Sequence, residues 1–378
     1  MDFDLGALSR QPDVAAPELF ASDAADRLLL DEAAGALSAA APGAVVVIGD
    51  GYGALTLGAV ARHGAHSIRV HQDALSGERA LAANAERLGI PPTWTHHDLD
   101  ADLTRNAEVV LVRLPRSLDA LSDICQTIAR HCAPGVRVFA AGMVKHMAVS
   151  MNDVLRGSFG RLDVTRARQK ARALIAAEPL PAVEVSWPRR ETDAETGLVV
   201  VARGAAFAGT TVDIGTRLLL EHLDAAPRVD EAIDLGCGTG VIATWLARQR
   251  PGLHVVATDQ SAAAVASARA TAAANGVGEQ VEVVRDDALS ARADGSAGLI
   301  VLNPPFHIGH VVHRGIALKL FADAGRVLAP GGELWTVWNS HLRYRPDLDR
   351  LVGPTRQIAR NSTFTVTAST RSADPHGR

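Results

Sequence analysis

The chain has 378 residues, which suits two domain cores of somewhat under 200 residues each better than one. Its composition, 47% hydrophobic, 21% charged and only 4% aromatic, excludes disorder, and no apolar run reaches the roughly 18 residues of a membrane span. A formal net charge of -4 excludes a globally basic nucleic-acid binder, so any contact with RNA has to come from local patches. Cys125, Cys132 and Cys237 are odd in number and unpaired by spacing, which suggests neither a disulfide framework nor a zinc site. The acidic start Met1-Asp2-Phe3-Asp4 lacks the basic region of a secretory leader, so the expected location is the cytoplasm, with no membrane partner.

In chain order, the first buried strand, Val45 to Ile48, runs into the turn Gly49-Asp50-Gly51-Tyr52-Gly53 and a helix from Ala54 to Ala61. A second strand, Ser67 to Gln72, leads to a helix closing at Leu88-Gly89, and Ala133-Pro134-Gly135 ends a later helix and opens another strand. Pro179, Pro181, Pro188 and the charged stretch Arg189 to Glu195 mark a boundary, so domains are expected over 1–180 and 195–378. The same order then returns about 187 residues on. Ala232 to Leu235 enters Gly236-Cys237-Gly238-Thr239-Gly240 and a helix from Val241 to Arg248; His254 to Asp259 precedes a helix closing at Asn275-Gly276; Ala329-Pro330-Gly331 repeats the later turn.

Strands alternating with helices predict two doubly wound, mostly parallel sheets, an α/β fold written twice. In the second copy, Gln357 to Ala359 and Phe364 to Ser369 form an expected hairpin around Asn361-Ser362. An antiparallel final pair on a parallel sheet is the class I methyltransferase variant of the Rossmann plan.

The second copy carries the expected cofactor site. Gly236, Gly238 and Gly240 let the backbone approach a ligand and leave amide donors at a helix N-terminus. Such a turn alone is shared by several nucleotide-binding folds, but three carboxylates at successive strand ends make it specific. Asp234 can hold the ammonium of a methionine moiety, Asp259 both hydroxyls of a ribose, and Asp287, or its neighbour Asp286, an adenine amino group. Together these point to S-adenosyl-L-methionine.

The fourth strand of this copy, Leu299 to Leu302, ends in Asn303-Pro304-Pro305-Phe306. Two consecutive prolines remove two amide donors, so the loop presents acceptors only. The Asn303 side-chain oxygen and the Pro304 carbonyl can each take one N–H of a conjugated amine, turning its lone pair toward the methyl donor, while Phe306 stacks on a planar base. No strong general base is needed, because the proton becomes acidic only after the nitrogen has attacked.

Val301-Leu302-Asn303-Pro304-Pro305-Phe306-His307, with Pro330-Gly331-Gly332-Glu333-Leu334 downstream and Val212-Asp213-Ile214-Gly215-Thr216-Arg217-Leu218-Leu219-Leu220 upstream, resembles the bacterial ribosomal RNA guanine-N2 methyltransferases. The pattern departs from the family at Ala208 and at Ala297-Gly298. The resemblance implies a tandem methyltransferase fold with a degenerate N-terminal copy and ribosomal RNA or a ribosomal subunit as partner. Val47 would stand in place of Asp234, Gln72 in place of Asp259, and Leu114-Pro115-Arg116-Ser117 roughly in place of the catalytic loop.

Two basic groups are candidates for holding RNA. Arg156, Arg161, Arg166, Arg168, Lys170 and Arg172 lie close together, and are read as a helix face; Arg343, Arg345 and Arg350 follow the fifth strand of the second copy. His307, His310 and His313 are irregularly spaced and no metal is expected there. Two other functions compete: a protein glutamine-N5 methyltransferase, against which Phe306 and the duplication argue, and a non-catalytic RNA-binding assembly protein, against which Asp234, Asp259 and Asn303 argue.

Overall fold

The structure, a computed structural model, describes residues 3–13, 19–305 and 314–372. The chain divides into two compact units, Met1–Trp187 and Pro188–Arg378.

In the first unit the strands are β1 (Val45–Ile48), β2 (Ile68–His71), β3 (Trp94–His96), β4 (Val109–Arg113), β5 (Arg137–Met143), β6 (Phe159–Val164) and β7 (Ala171–Pro179). They form one sheet in the order β3-β2-β1-β4-β5-β7-β6, parallel except for β7, which runs antiparallel to both its neighbours. Helices α1 (Ala24–Ala39), α2 (Ala54–His63), α3 (Leu75–Leu88), α4 (Ala101–Thr104), α5 (Leu118–His131) and α6 (Ser150–Arg156) make the connections and the lead-in. The strands are apolar at consecutive positions because both faces are covered. Val45 and Val47 join one core cluster with α1 and α2, and Val46 and Ile48 join another with α5.

The second unit repeats this plan. A hairpin of β8 (Arg189–Thr192) and β9 (Val199–Ala202) comes first, then α7 (Ile214–Leu220). The sheet follows with β10 (Glu231–Leu235), β11 (His254–Asp259), β12 (Val281–Arg285), β13 (Ala297–Leu302), β14 (Leu328–Asn339), β15 (Thr355–Arg360) and β16 (Phe364–Thr370). Their order is β12-β11-β10-β13-β14-β16-β15, again with an antiparallel final pair. Connections run through α8 (Val241–Gln249), α9 (Ala262–Ala274), α10 (Arg314–Val327) and α11 (Arg345–Leu351). The expected class I methyltransferase topology is thus present in both copies.

The chain divides within the proline-rich boundary region, at Trp187 and Pro188, and the charged stretch Arg189 to Glu195 that follows is strand β8 and its turn. All four residues of β8 are exposed, so no alternating pattern betrays the strand. Its partner β9 is buried and fastened to α9: Asn275 Oδ1 accepts from Val199 N at 3.0 Å and Thr271 Oγ1 from Val201 N at 3.0 Å. The basic group read as a helix face is also different. Only Arg156 is helical; the rest lie on β6, on β7 and on the loop that joins them.

Among the described residues no helix is long and apolar enough to cross a membrane.

Candidate active site

Period-two alternation decides what faces what in the second unit. Ala232 and Leu299 point into the core cluster that holds Leu219, Val241 and Ala243 from α7 and α8, so Asp234 and Asn303 fall on that same face. Leu235 and Leu302 are register partners, which brings the glycine turn after β10 and Asn303 out of neighbouring strands at one level. A ligand at the carboxyl ends of these strands would meet both, at the point where the strand order reverses.

The turn holds Gly236, Gly238 and Gly240 at φ of +70°, +52° and +78°, values that favour glycine. Gly240 is also sterically required, since a Cβ there would lie 2.8 Å from Ala268 Cα in α9. Asp234 is completely buried. Its Oδ2 accepts from Ala243 N at 2.9 Å, whereas Oδ1 has no hydrogen-bond partner among the described residues. Burial pushes this carboxyl up to about 7, against the Ala243 N–H that lowers it and with the charge of Asp259 adding to the rise. A buried, half-satisfied carboxylate is costly unless a cation or donor completes it, and an ammonium group of a cofactor would do so.

Asp259 braces the turn from the next strand. Its Oδ2 accepts from Gly238 N at 3.0 Å and its Oδ1 from Ser261 N at 2.9 Å. A carboxylate at this strand end, able to accept from several donors, suits the paired hydroxyls of a ribose. Asp286 is consumed locally: it accepts from the Asp287 and Ala291 amides and from Ser290 Oγ. Asp287, partly buried, is ion-paired with Lys319 Nζ. The donor set therefore fits S-adenosyl-L-methionine, with the orphaned Asp234 oxygen as the most direct sign of it.

Asn303 is half-buried and its amide is asymmetrically engaged. Nδ2 donates to Asp213 Oδ2 at 3.1 Å and to Thr216 Oγ1 at 2.9 Å, while Oδ1 is buried with no hydrogen-bond partner among the described residues. An ionised carboxylate can only accept, so the nitrogen is the atom that faces Asp213. Pro304 is buried and Pro305 exposed. Phe306, His307, His310 and His313 lie outside the described residues; among the described ones, no group of three or more His, Cys, Asp or Glu is placed to hold a metal ion.

The first unit shows how the same frame loses these groups. Register places Val47 level with Val70 and Val112 beside Ile48, so Val47 matches Asp234 and Gln72 matches Asp259, as expected. The same register makes Arg113 the counterpart of Asn303, one residue earlier than the expected Leu114. Asp50, the counterpart of Cys237, is buried and accepts from the amides of Gly53, Leu55 and Thr56. Those amides open α2, and in this unit a carboxylate of the turn itself holds them.

Sequence reasoning misses Asp213 and Thr216 as site residues. Asp213 carries a visible N-cap signature, but its second engagement, with Asn303, spans 90 positions of sequence and leaves no local trace.

Residues 197–368 match the family model described as methyltransferase small domain, and residues 2–180 match the RLMG N-terminal domain. The ribosomal RNA large subunit methyltransferase G of Streptomyces coelicolor is 38% identical over 371 residues, covering 95% of this chain and 96% of that protein. The protein of the same name from Pseudomonas aeruginosa is 35% identical, covering 95% and 96%. Among solved structures, the T. thermophilus 16S rRNA N2 G1207 methyltransferase in complex with AdoMet and guanosine superimposes with a TM-score of 0.73 at 22% identity, covering 95% of this chain and 97% of that one. That last likeness speaks for the fold, whereas the relatives extend it to sequence along nearly the whole length. The chain belongs to the family of the ribosomal RNA large subunit methyltransferases G.

Proposed function

We propose that this chain methylates the exocyclic N2 amine of a guanine in large-subunit ribosomal RNA. The observation that carries the reading is the Asn303 side-chain oxygen, buried and unpartnered among the described residues, one strand from the orphaned oxygen of Asp234. S-adenosylmethionine supplies the methyl group from its sulfonium. Asp234 receives the cofactor ammonium, the turn of Gly236, Gly238 and Gly240 accommodates its backbone-facing side, Asp259 takes the ribose, and Asp287 the adenine edge. Asn303 and the Pro304 carbonyl accept the two N–H bonds of the guanine amine, and Phe306 stacks on the base. The name shared by the relatives supports the large subunit as the source of the RNA.

The test is incubation with labelled S-adenosylmethionine and each purified ribosomal subunit or its deproteinised RNA, followed by nucleoside analysis. Label in N2-methylguanosine from large-subunit RNA is the expected result. Label in small-subunit RNA alone, or in a protein glutamine, would overturn the substrate assignment.

Binding of the RNA is assigned to the first unit. Of its six basic candidates, Arg156, Arg161 and Arg168 are paired with Asp153, Asp163 and Asp31. Arg172 is half-buried on β7, which leaves Arg166 and Lys170 as exposed cations on the β6–β7 loop. Because β7 starts opposite Met143, the last residue of β5, this loop lies at the carboxyl end of the parallel strands. In the second unit, Arg345 and Arg350 face Asp349 and Asp347 at 4.0 and 3.5 Å, which makes them weaker candidates. Reversing Arg166 and Lys170 to Glu should weaken RNA binding and lower the slope of log K against log salt by about two, one for each phosphate that is no longer neutralised. Cofactor affinity should not change. An unaltered salt slope, measured by RNA titration at several ionic strengths, would remove the loop from the interface.

A further inference from the structure

We propose that Asp213 and Thr216 are positioning residues for methyl transfer, holding the Asn303 amide so that its oxygen, and not its NH2, meets the substrate amine. The proposal rests on the reading of Asn303 as an amine acceptor given above and adds what makes it one.

The two ends of a carboxamide are nearly the same size, so an amide on a turn can flip at little steric cost. The flip would be fatal here, because an NH2 group facing a substrate amine sets donor against donor. Both hydrogens of Asn303 Nδ2 have an acceptor: Asp213 Oδ2 at 3.1 Å and Thr216 Oγ1 at 2.9 Å. The acceptors are themselves fixed. Asp213 is the N-cap of α7, its Oδ2 also accepting from Gly215 N at 3.0 Å and Thr216 N at 3.2 Å. One turn further, Arg217 ties α7 to the β8–β9 hairpin through Asp193 and Glu195, at 2.5 and 2.8 Å. Gly215 permits the helix start to lie close to β16, since a Cβ there would stand 3.1 Å from the Phe364 ring.

The first unit supplies an independent observation. Its helix α1 packs on β5 and β7, as α7 packs on the corresponding β14 and β16. Asp23 is the N-cap of α1 and Asp26 stands three residues on, the spacing of Asp213 and Thr216. These two carboxylates hold Arg113, the counterpart of Asn303, at 2.5 Å (Nη2 to Asp23 Oδ2) and 3.5 Å (Nε to Asp26 Oδ1). In both copies, then, the start of the lead-in helix grips the side chain that leaves the fourth strand. Where that side chain is an amide, the second grip is a neutral hydroxyl; where it is a guanidinium, the second grip is a carboxylate.

The test separates this role from helix capping. Asp213→Ser keeps a good N-cap, since serine caps about as well as aspartate, but its hydroxyl is too short to serve Asn303 as well. Thr216→Val removes the other acceptor without changing shape. The combined variant should lose on the order of a hundredfold in single-turnover rate at saturating cofactor, the scale of one misaimed transition-state group. Cofactor Kd, RNA Kd and Tm should stay near wild type, and Thr216→Ser should retain the rate that Thr216→Val loses. In an Asn303→Ala background the same two substitutions should cost nothing further, because they act through Asn303. A wild-type rate in the combined variant, a rate loss matched by a fall in Tm, or an equal additional loss in the Asn303→Ala background would each overturn the proposal. If Asn303→Ala is itself fully active, it is the acceptor reading that fails; if it is inactive while the combined variant is not, the positioning role alone fails.

Discussion

Asn303→Ala should slow methyl transfer by on the order of a hundredfold or more while leaving cofactor and RNA affinity nearly unchanged. The N2 amine of guanine is conjugated with its ring and close to planar, so its lone pair faces the methyl donor only once both hydrogens are held by acceptors. Asn303 Oδ1 lies just beyond β13, on the face that carries Asp234, with no competing hydrogen bond among the described residues, and its orientation is determined by two contacts to its nitrogen. Loss of one positioned polar group of this kind costs on the order of a hundredfold or more in rate. Single-turnover measurements at saturating cofactor isolate the chemical step from binding. A rate within a factor of about two of wild type, far below the scale of such a group, would mean that the amine is held elsewhere.

Asp234→Asn carries the other large expected effect, this time on the cofactor. Opposite charges brought together in a completely buried site depend on each other: removal of one partner of such a pair costs about 3–5 kcal/mol, more than a hundredfold in Kd. The same burial predicts a pH signature. In the ligand-free protein the Asp234 carboxyl is raised from 3.8 to about 7, first by burial and then by the charge of Asp259, against the opposing Ala243 N–H. The folded protein therefore holds a proton that the unfolded chain has already released. The stability this group contributes is complete below its ordinary value and is lost as pH rises through about 7. Ammonium binding reverses the preference by favouring the ionised carboxylate. Cofactor affinity should thus climb as pH rises through about 7, then fall as an α-amino group of pKa about 7.7–8.0 loses its own proton. In the Asp234→Asn variant the acid limb should vanish, and the ligand-free protein should be less sensitive to pH in thermal melts. Calorimetry across pH 6 to 9 checks both; an acid limb that persists in the variant would place the titrating group elsewhere.

Much of this protein is legible in its residues because the relevant signals are local. A buried strand that breaks into Gly236-Cys237-Gly238-Thr239-Gly240 before an apolar run can only make a strand, a tight turn and a helix, and the same grammar about 187 residues earlier discloses the duplication. Carboxylates one strand apart, Asp234 and Asp259, become neighbours in any parallel sheet of this order. Asn361-Ser362 between two short strands gives the closing hairpin, where Asn361 Oδ1 accepts from the Thr363 and Phe364 amides.

What escaped depends on groups distant in sequence meeting in space. An exposed strand such as β8 has no alternation to detect, and the basic run around Arg166 is the turn of a β6–β7 hairpin that β5 holds in the sheet, a partner that composition does not name. Asp50 looks like any turn aspartate until the fold aims it at the opening amides of α2. Asp213 looks like an ordinary helix cap, and is one. Only the tertiary structure gives its carboxylate a second partner, because period-two alternation turns Asn303 toward α7 and helix packing delivers Asp213 to within 3.1 Å of it, a meeting of residues 90 positions apart that no local preference can encode.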